Sequence, residues 1–367
     1  MKTLLTFLLL FLTINALVAQ SRAATALPPT DRITVTVHPG IELFTIVQLL
    51  AGKYPMPNKS VYAKETEAYF VPFANHPAVQ QARRLQQVYS DLPELGYCLD
   101  NFPDVRLHYP AQSNWYTLND RDTIQTYMRL CKQFAEDSHF WAFYQKHQAD
   151  YAAWAKPMQA RLAGEGLVDK LDSFYRLRTK AARWTVFLDP LNSWGAHAIT
   201  AKTLNPRYAD QVVYNVGFLN NESTDTSVPA FNLGSESVMM VWHEGSHIYT
   251  NALQQKYKTD IAKLAYLFNK ADAGMKHNNI HDWAHCFDEN LVRGITIALF
   301  RQHQSPKEAR KQAAQDIVGD FQYAGDIADV ISAKYTGRRT DQNFEQFFPE
   351  IFAYLAQKYP TAESTNQ

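Results

Sequence analysis

One short motif carries the chemistry in this sequence: residues His243 to His247 have the pattern H-E-x-x-H. Two histidines four residues apart on an α-helix are offset by about 40° around its axis and about 6 Å along it, so both imidazoles can reach one metal ion. Glu244 would then lie beside a metal-bound water and could take its proton as a general base. The motif therefore predicts a catalytic zinc site on a helix, with one Zn²⁺ per chain.

The residues around the motif favour this helix. Ser235 suits an N-cap, Glu236 falls in the first turn, and an apolar run follows over residues 238–242. Gly245 costs a helix interior about 1 kcal/mol, although a residue without a side chain leaves room for close packing behind a metal site. The alternative is a surface helix that carries two histidines by coincidence.

A catalytic zinc ion usually has three protein ligands, so a second element must supply another donor. A metzincin would have a glycine and a third histidine further along the same segment, but Thr250 and Leu253 occupy those positions. That class is excluded. Glu289 is the first glutamate after the motif and is the predicted third ligand.

The segment around Glu289 is predicted to form a second helix, over about residues 281–302, because apolar residues recur at helical spacing. His285 and Arg293 lie one turn before and one turn after Glu289, so both could hold this ligand in place. His285 is also the competing third ligand. Alternatively, Glu289 and Arg293 form an ordinary surface ion pair. Two aspartates are weaker candidate ligands, Asp260 and Asp272.

Several segments resemble a bacterial family of predicted exported metallopeptidases that is known only as a domain of unknown function. These segments are residues 42–52, 69–79, 140–147, 289–293 and 344–351. The resemblance extends over most of the chain after its N-terminal segment. It implies a gluzincin, a zincin whose third ligand is glutamate, with His243 and His247 as metal ligands and Glu244 as the catalytic residue.

The N-terminus has the three parts of a secretory signal peptide: Lys2, an apolar stretch over residues 4–18, and Ala19 at the cleavage point. The stretch is shorter than the ~20 residues of a membrane-spanning helix, so no membrane span is expected. We predict a signal peptide over residues 1–19, a short lead over 20–30, and one zincin-like catalytic unit over 31–360. Its length permits two subdomains. The protein is expected in the periplasm or the extracellular medium.

Composition argues against nucleic-acid binding. The 36 lysines and arginines balance the 36 aspartates and glutamates, and no basic tract supplies the positive patch that binds phosphates. Three cysteines allow at most one internal disulfide, so packing must hold the core together. The expected partner is a peptide or protein substrate.

Helical patterns dominate the chain. Besides the two zinc helices, we predict helices over residues 41–52, 78–90, 122–136, 139–163, 167–188, 306–335 and 344–358. Strands are predicted over residues 32–38 and 211–218. The second strand could be an edge strand that pairs with a peptide, as in many zincins, but an ordinary core strand is favoured. The sum is a mainly helical α+β fold with a small sheet around a zincin-like core.

The favoured function is that of an exported zinc metallopeptidase, in which Glu244 activates the water and then protonates the leaving amine. A zinc hydrolase of a non-peptide amide is the nearest alternative. A non-catalytic binding protein on a zincin scaffold is a third, and the intact Glu244 argues against it. The candidate donors to the oxyanion, among which the sequence does not choose, are His197, Tyr249, Tyr335, Arg338 and Arg339.

Overall fold

The structure is a computed structural model that describes residues 33–53, 60–86, 94–113, 115–176, 183–192, 196–199, 201–208, 211–217, 235–278, 280–337 and 342–361. The predicted signal peptide and lead lie outside these residues. Among the described residues, no helix combines the length and apolar character needed to cross a membrane. One continuous hydrophobic core runs from the first strand to the last helix.

The fold is mainly helical with a small sheet, so the predicted α+β class is confirmed. Helices α1 to α15 span Pro39–Leu50, Val61–Phe70, Pro77–Arg84, Trp115–Leu118, Arg121–Asp137, Phe140–Lys146, Gln148–Gly164, Leu167–Tyr175, Ser235–Lys256, Lys258–Lys263, Phe268–His277, Trp283–His303, Pro306–Val318, Ala324–Ile331 and Phe344–Lys358. Strands β1 to β6 span Ile33–Val37, Leu99–Asp100, Arg106–Leu107, Arg183–Asp189, Ala196–Ile199 and Gln211–Gly217.

The main sheet has the strand order β1-β4-β6-β5. Strands β1, β4 and β6 are parallel, with Val35 opposite Val186 and Val186 opposite Tyr214. Strand β5 is antiparallel to β6 and forms one edge of the described sheet. The strands predicted over residues 32–38 and 211–218 are confirmed as β1 and β6, and β6 is an inner strand, not an edge strand, because it pairs on both sides.

The prediction of one helix over residues 167–188 is wrong in its second half. Helix α8 ends at Tyr175, and residues 183–189 form β4, the strand between β1 and β6. Trp184, Val186 and Phe187 are all buried, although alternate residues of a strand point to opposite faces. A strand covered on both faces has a continuous apolar run, which periodicity alone does not distinguish from a buried helix.

Two other predicted helices are interrupted. The helix predicted over 306–335 breaks after Val318, where Asp320 adopts a left-handed conformation with φ of 68°. The helix predicted over 139–163 divides at His147 into α6 and α7. The helix predicted over 344–358 is confirmed as α15, which begins with a capping box at Asn343.

Helix α12 lies at the centre of the helical layer and packs against α9, α13 and α14. It is buried on almost every side after its first turn, as expected for a helix in the middle of a core. Gly294 allows the close approach of α14, because a Cβ atom there would lie 2.7 Å from Cγ2 of Ile327. The position of Glu289 on α12 is therefore set by packing on several sides.

Helix α9 carries the H-E-x-x-H motif and packs against α8 and β5. Gly245 lies where α9 contacts Leu171 and Trp184: a Cβ atom there would lie 2.7 Å from both Leu171 Cδ2 and Trp184 Cη2. The glycine costs some helix propensity, but it leaves room for the side chains of Leu171 on α8 and Trp184 on β4 to pack against the motif helix. The motif is thus held between the sheet on one side and α12 on the other.

Candidate metal centre

Helices α9 and α12 bring together three side chains that could hold a metal ion: His243, His247 and Glu289. One ligand atom from each lies within 4.8 Å of the other two, and the described residues contain no second such group. Glu289 Oε2 is 3.7 Å from His243 Nε2, and Glu289 Oε1 is 3.7 Å from His247 Nε2. Donor atoms around a tetrahedral zinc ion are about 3.4 Å apart, so the arrangement fits this ion with small adjustments.

The three side chains differ in exposure. His243 is buried, whereas the side chains of His247 and Glu289 retain 17% and 18% of their exposure. The two imidazole rings are 5.1 Å apart and nearly perpendicular, at 84°. The triad therefore has a protein-covered side at His243 and a side toward solvent, from which a substrate could approach.

Asp288 supports His247 from the opposite edge of its ring. Its Oδ2 lies 3.1 Å from His247 Nδ1, while its Oδ1 accepts a hydrogen bond from the Gln254 amide. A proton on Nδ1, donated to this carboxylate, leaves the lone pair of Nε2 directed toward Glu289. This is the usual way in which a protein selects the tautomer of a metal-binding histidine.

The electrostatics of the site favour a proton on His247 and disfavour one on His243. Burial alone would lower the pKa of His247, but the hydrogen bond and charge of Asp288, with the charges of Glu244 and Glu289, raise this pKa to about 9. The pKa of His243 falls well below its usual value, mainly through burial and also through neighbouring positive charge. The carboxylates that favour an imidazolium would equally favour a divalent cation.

Glu244 lies beside the triad without belonging to it. Its Oε1 is 3.9 Å from His243 Nε2, and its side chain is 19% exposed. A carboxylate in this position is close enough to contact a water at the centre while leaving the three ligands in place. This is the geometry expected of a general base that is not itself a ligand.

Arg293 contacts Glu289, as the sequence predicted for residues one helical turn apart. Arg293 Nη2 lies 3.4 Å from Glu289 Oε2, and Arg293 Nη1 donates to Asp316 Oδ1 at 3.0 Å. The Glu289–Arg293 pair is thus not the exposed surface bridge of the alternative interpretation, because both of its side chains are only partly exposed. Arg293 also contacts Asp316, which is buried. The guanidinium connects a candidate metal ligand to α13.

The other candidate ligands lie outside the triad. His285 is exposed on the first turn of α12 and does not belong to the cluster. Asp260 forms an ion pair with Lys263, and Asp272 forms one with Lys276. These aspartates are surface partners of nearby lysines on their own helices.

The tyrosines considered as oxyanion donors have other acceptors. The Tyr249 hydroxyl donates to the carboxylate of Asp172, and the Tyr335 hydroxyl donates to the Phe174 carbonyl. Both tyrosines are buried, and burial raises the pKa of Tyr335. The structure thus directs both hydroxyls to acceptors outside the triad. Three other candidates lie outside the described residues or side chains: the side chain of His197, Arg338 and Arg339.

Asp288 is the residue of this site that the sequence analysis missed. The available signal was that Asp288 is adjacent to Glu289 in the sequence. A residue next to a ligand on a helix points about 100° away from it and can face the neighbouring helix. Recognising this required the orientation of α12 relative to α9. That orientation is set by packing between helices distant in sequence.

Comparisons with known proteins give a family but no activity. The model of a family described as Domain of unknown function (DUF4932) matches residues 103–354, which is more than half of the 367-residue chain and includes both helices of the triad. No curated protein and no solved structure matches the chain.

Proposed function

The chain belongs to the DUF4932 family, which has no assigned function, and from its site we propose that it is a zinc-dependent peptidase of the gluzincin type. The observation that carries the proposal is the convergence of His243, His247 and Glu289 from two helices, with Glu244 beside them. Two imidazoles and one carboxylate leave a coordination position open, as catalytic zinc sites do.

Each residue of the site has a separate role in the proposed hydrolysis. Zinc, when bound, would lower the pKa of a coordinated water toward ~7 and polarise the carbonyl of the substrate. Glu244 takes a proton from the attacking water and then delivers it to the leaving nitrogen, so no covalent intermediate forms on the protein. Asp288 holds the tautomer of His247, and Arg293 holds the carboxylate of Glu289.

The sheet next to the motif helix supports a peptide as substrate. Strand β5 packs against α9 and pairs with β6 on one side, so within the described sheet its other edge is available. An extended peptide can add to such an edge through main-chain hydrogen bonds, which would place its scissile bond near the motif helix. A small non-peptide amide has no comparable use for this edge.

Two alternative functions could use the same site. A zinc hydrolase of a non-peptide amide would use the same residues with a different substrate. A binding protein without turnover would have no need of Glu244 beside the triad.

Export to the periplasm or the medium belongs to the proposal and rests on the sequence of residues 1–19.

The proposal is tested by metal analysis and peptide cleavage on purified protein that lacks residues 1–19. We expect one zinc per chain, cleavage of members of a diverse peptide library, and both lost in His243→Ala. Glu244→Gln should keep zinc and lose cleavage by ~10²–10⁴-fold or more. Full cleavage by Glu244→Gln, or wild-type protein that binds iron in place of zinc, would reject the proposal.

A further inference from the structure

Asp316 lies near the end of α13, outside the H-E-x-x-H motif, yet the Arg293 side chain connects it to one candidate metal ligand, Glu289. We infer that Asp316 is a positioning residue, which holds the Arg293 guanidinium against Glu289 and thereby orients the third metal ligand. The inference rests on the proposed function, because it assigns a role toward the metal that the triad would bind.

The contacts form a chain from α13 to the triad. Gln312 Nε2 donates to Asp316 Oδ1 at 3.1 Å, and Arg293 Nη1 donates to the same oxygen at 3.0 Å. Arg293 Nη2 then lies 3.4 Å from Glu289 Oε2, the oxygen that faces His243. Two nitrogens of one planar group therefore join a buried carboxylate to a candidate ligand.

Phe321 fixes the plane of this guanidinium. The Cζ atom of Arg293 lies over the Phe321 ring, 3.7 Å from its centre, and Phe321 is buried. A guanidinium held by a carboxylate at its edge and by a ring at its face has little freedom to rotate. With Nη1 held by Asp316, the other terminal nitrogen, Nη2, lies toward Glu289, so the orientation of the guanidinium sets the orientation of the ligand carboxylate.

The break between α13 and α14 brings these two supports together. Helix α13 ends at Val318, and the left-handed Asp320 returns the chain so that Phe321 meets Arg293. Asp316 is 2% exposed, and a carboxylate so deeply buried is stable only when a cation or several donors compensate for its charge. Arg293 supplies that charge, which ties the segment 316–321 to the metal site.

The chain offers a matched control for this pair. Arg301 lies two turns further along α12 and its Nη1 contacts Asp329 of α14 at 2.9 Å, with the two side chains 36% and 59% exposed. Asp329→Asn thus removes an Arg–Asp contact from the same helix without approaching the triad. Asp316→Asn removes the equivalent charge at the buried position.

Both variants should be made in protein that lacks residues 1–19. Zinc affinity is measured by chelator competition, the ligand geometry by the visible spectrum of the Co²⁺-substituted protein, and stability by thermal unfolding. We expect Asp316→Asn to weaken zinc binding by ~10–100-fold and to alter the Co²⁺ spectrum, whereas Asp329→Asn changes neither. Arg293→Lys retains the charge but loses the planar fork, and should resemble Asp316→Asn in both readouts.

The outcomes separate positioning from stability. If Asp316→Asn is less stable but binds zinc with wild-type affinity and spectrum, Asp316 has only a structural role and the inference is wrong. If Asp316→Asn does not fold, Arg293→Lys decides by the same two measurements. The proposed peptidase function can fail while this inference holds, because zinc affinity is measured without turnover. That outcome is a wild-type protein that binds zinc yet cleaves no peptide.

Discussion

Asp288 Oδ2 lies 3.1 Å from His247 Nδ1, on the edge of the ring opposite the Nε2 atom that faces Glu289. Two consecutive residues of α12 thus serve the two nitrogens of one imidazole on α9. The first contacts Nδ1, where it can set the tautomer, and the second belongs to the candidate triad. This arrangement ties ligand orientation directly to the packing of the two helices.

Asp288→Asn tests the first of these roles. The amide keeps the shape of the carboxylate but removes its charge and its preference for an Nδ1 proton, so zinc affinity should fall by ~10–100-fold. Chelator competition measures the change. Gln254→Ala, which removes a partner of the other Asp288 oxygen, should have a smaller effect. Unchanged zinc affinity in Asp288→Asn would show that His247 needs no such support.

Glu289→Ala and His285→Ala together identify the third ligand. The structure places Glu289 in the triad and leaves His285 exposed one turn earlier on the same helix. Glu289→Ala should therefore lose most bound zinc, while His285→Ala should bind one ion per chain. Metal analysis after dialysis decides the question, and the reverse result would make histidine the third ligand and end the gluzincin assignment.

Gly245→Ala should destabilise the protein although alanine favours helices. Its Cβ would meet Leu171 and Trp184 at 2.7 Å, and overpacking of this kind costs typically 1–3 kcal/mol, against about 1 kcal/mol gained in helix propensity. Gly325→Ala is the control, because nothing lies within 4 Å of a Cβ atom there. Chemical denaturation should show net destabilisation for the first variant and none for the second.

Local patterns were sufficient to predict which three side chains converge in the candidate triad. The spacing of His243 and His247 is a property of any helix, and Glu289 was predicted as the first glutamate on the next apolar-periodic segment. Asp288 and Asp316 could not be predicted in this way. Their proposed roles depend on how α12 faces α9 and α13, and such packing between distant segments leaves no local periodic signal.

The fold was predictable in its class and less so in its boundaries. Helix α15 and strands β1 and β6 have clear patterns, whereas β4 was mistaken for helix because both of its faces are buried. The interruption after Val318 was missed because the apolar spacing continues into α14, while the left-handed Asp320 depends on its surroundings. The same interruption brings Phe321 to Arg293, so the missed boundary and the missed contact have one cause.

His38 should make the stability of the protein depend on pH. Its Nδ1 accepts hydrogen bonds from the Gly40 and Ile41 amides at the start of α1, so its Nε2–H donates to the Tyr208 oxygen. Burial, together with the charge of Arg207, lowers the pKa of His38 to about 3. Folded His38 thus stays neutral at pH values where the unfolded chain, with an ordinary pKa near ~6.5, takes up a proton.

The sign follows from this difference in proton binding. Below pH ~6.5 the unfolded chain binds more protons, so the free energy of unfolding falls by up to ~1.4 kcal/mol per pH unit as the pH drops toward 3. His38→Asn keeps an N-cap acceptor and cannot take up the proton. Urea denaturation between pH 7 and pH 4.5 should give a steeper loss for wild type than for His38→Asn, and equal slopes would exclude His38 as a source of acid sensitivity.

The three cysteines should remain unreactive thiols in the folded protein. Cys98, Cys131 and Cys286 are free and buried, and burial raises the pKa of each thiol, that of Cys286 to about 12. A thiol reacts with alkylating agents as the thiolate, which burial both disfavours and shields.

Iodoacetamide at pH 8 should label none of the three in native protein and all three in urea. Reducing agent should leave the melting temperature unchanged, because the fold contains no disulfide among these residues. Rapid labelling of the native protein, or a loss of stability on reduction, would contradict this packing. Unreactive thiols matter most if the protein functions in an oxidising compartment.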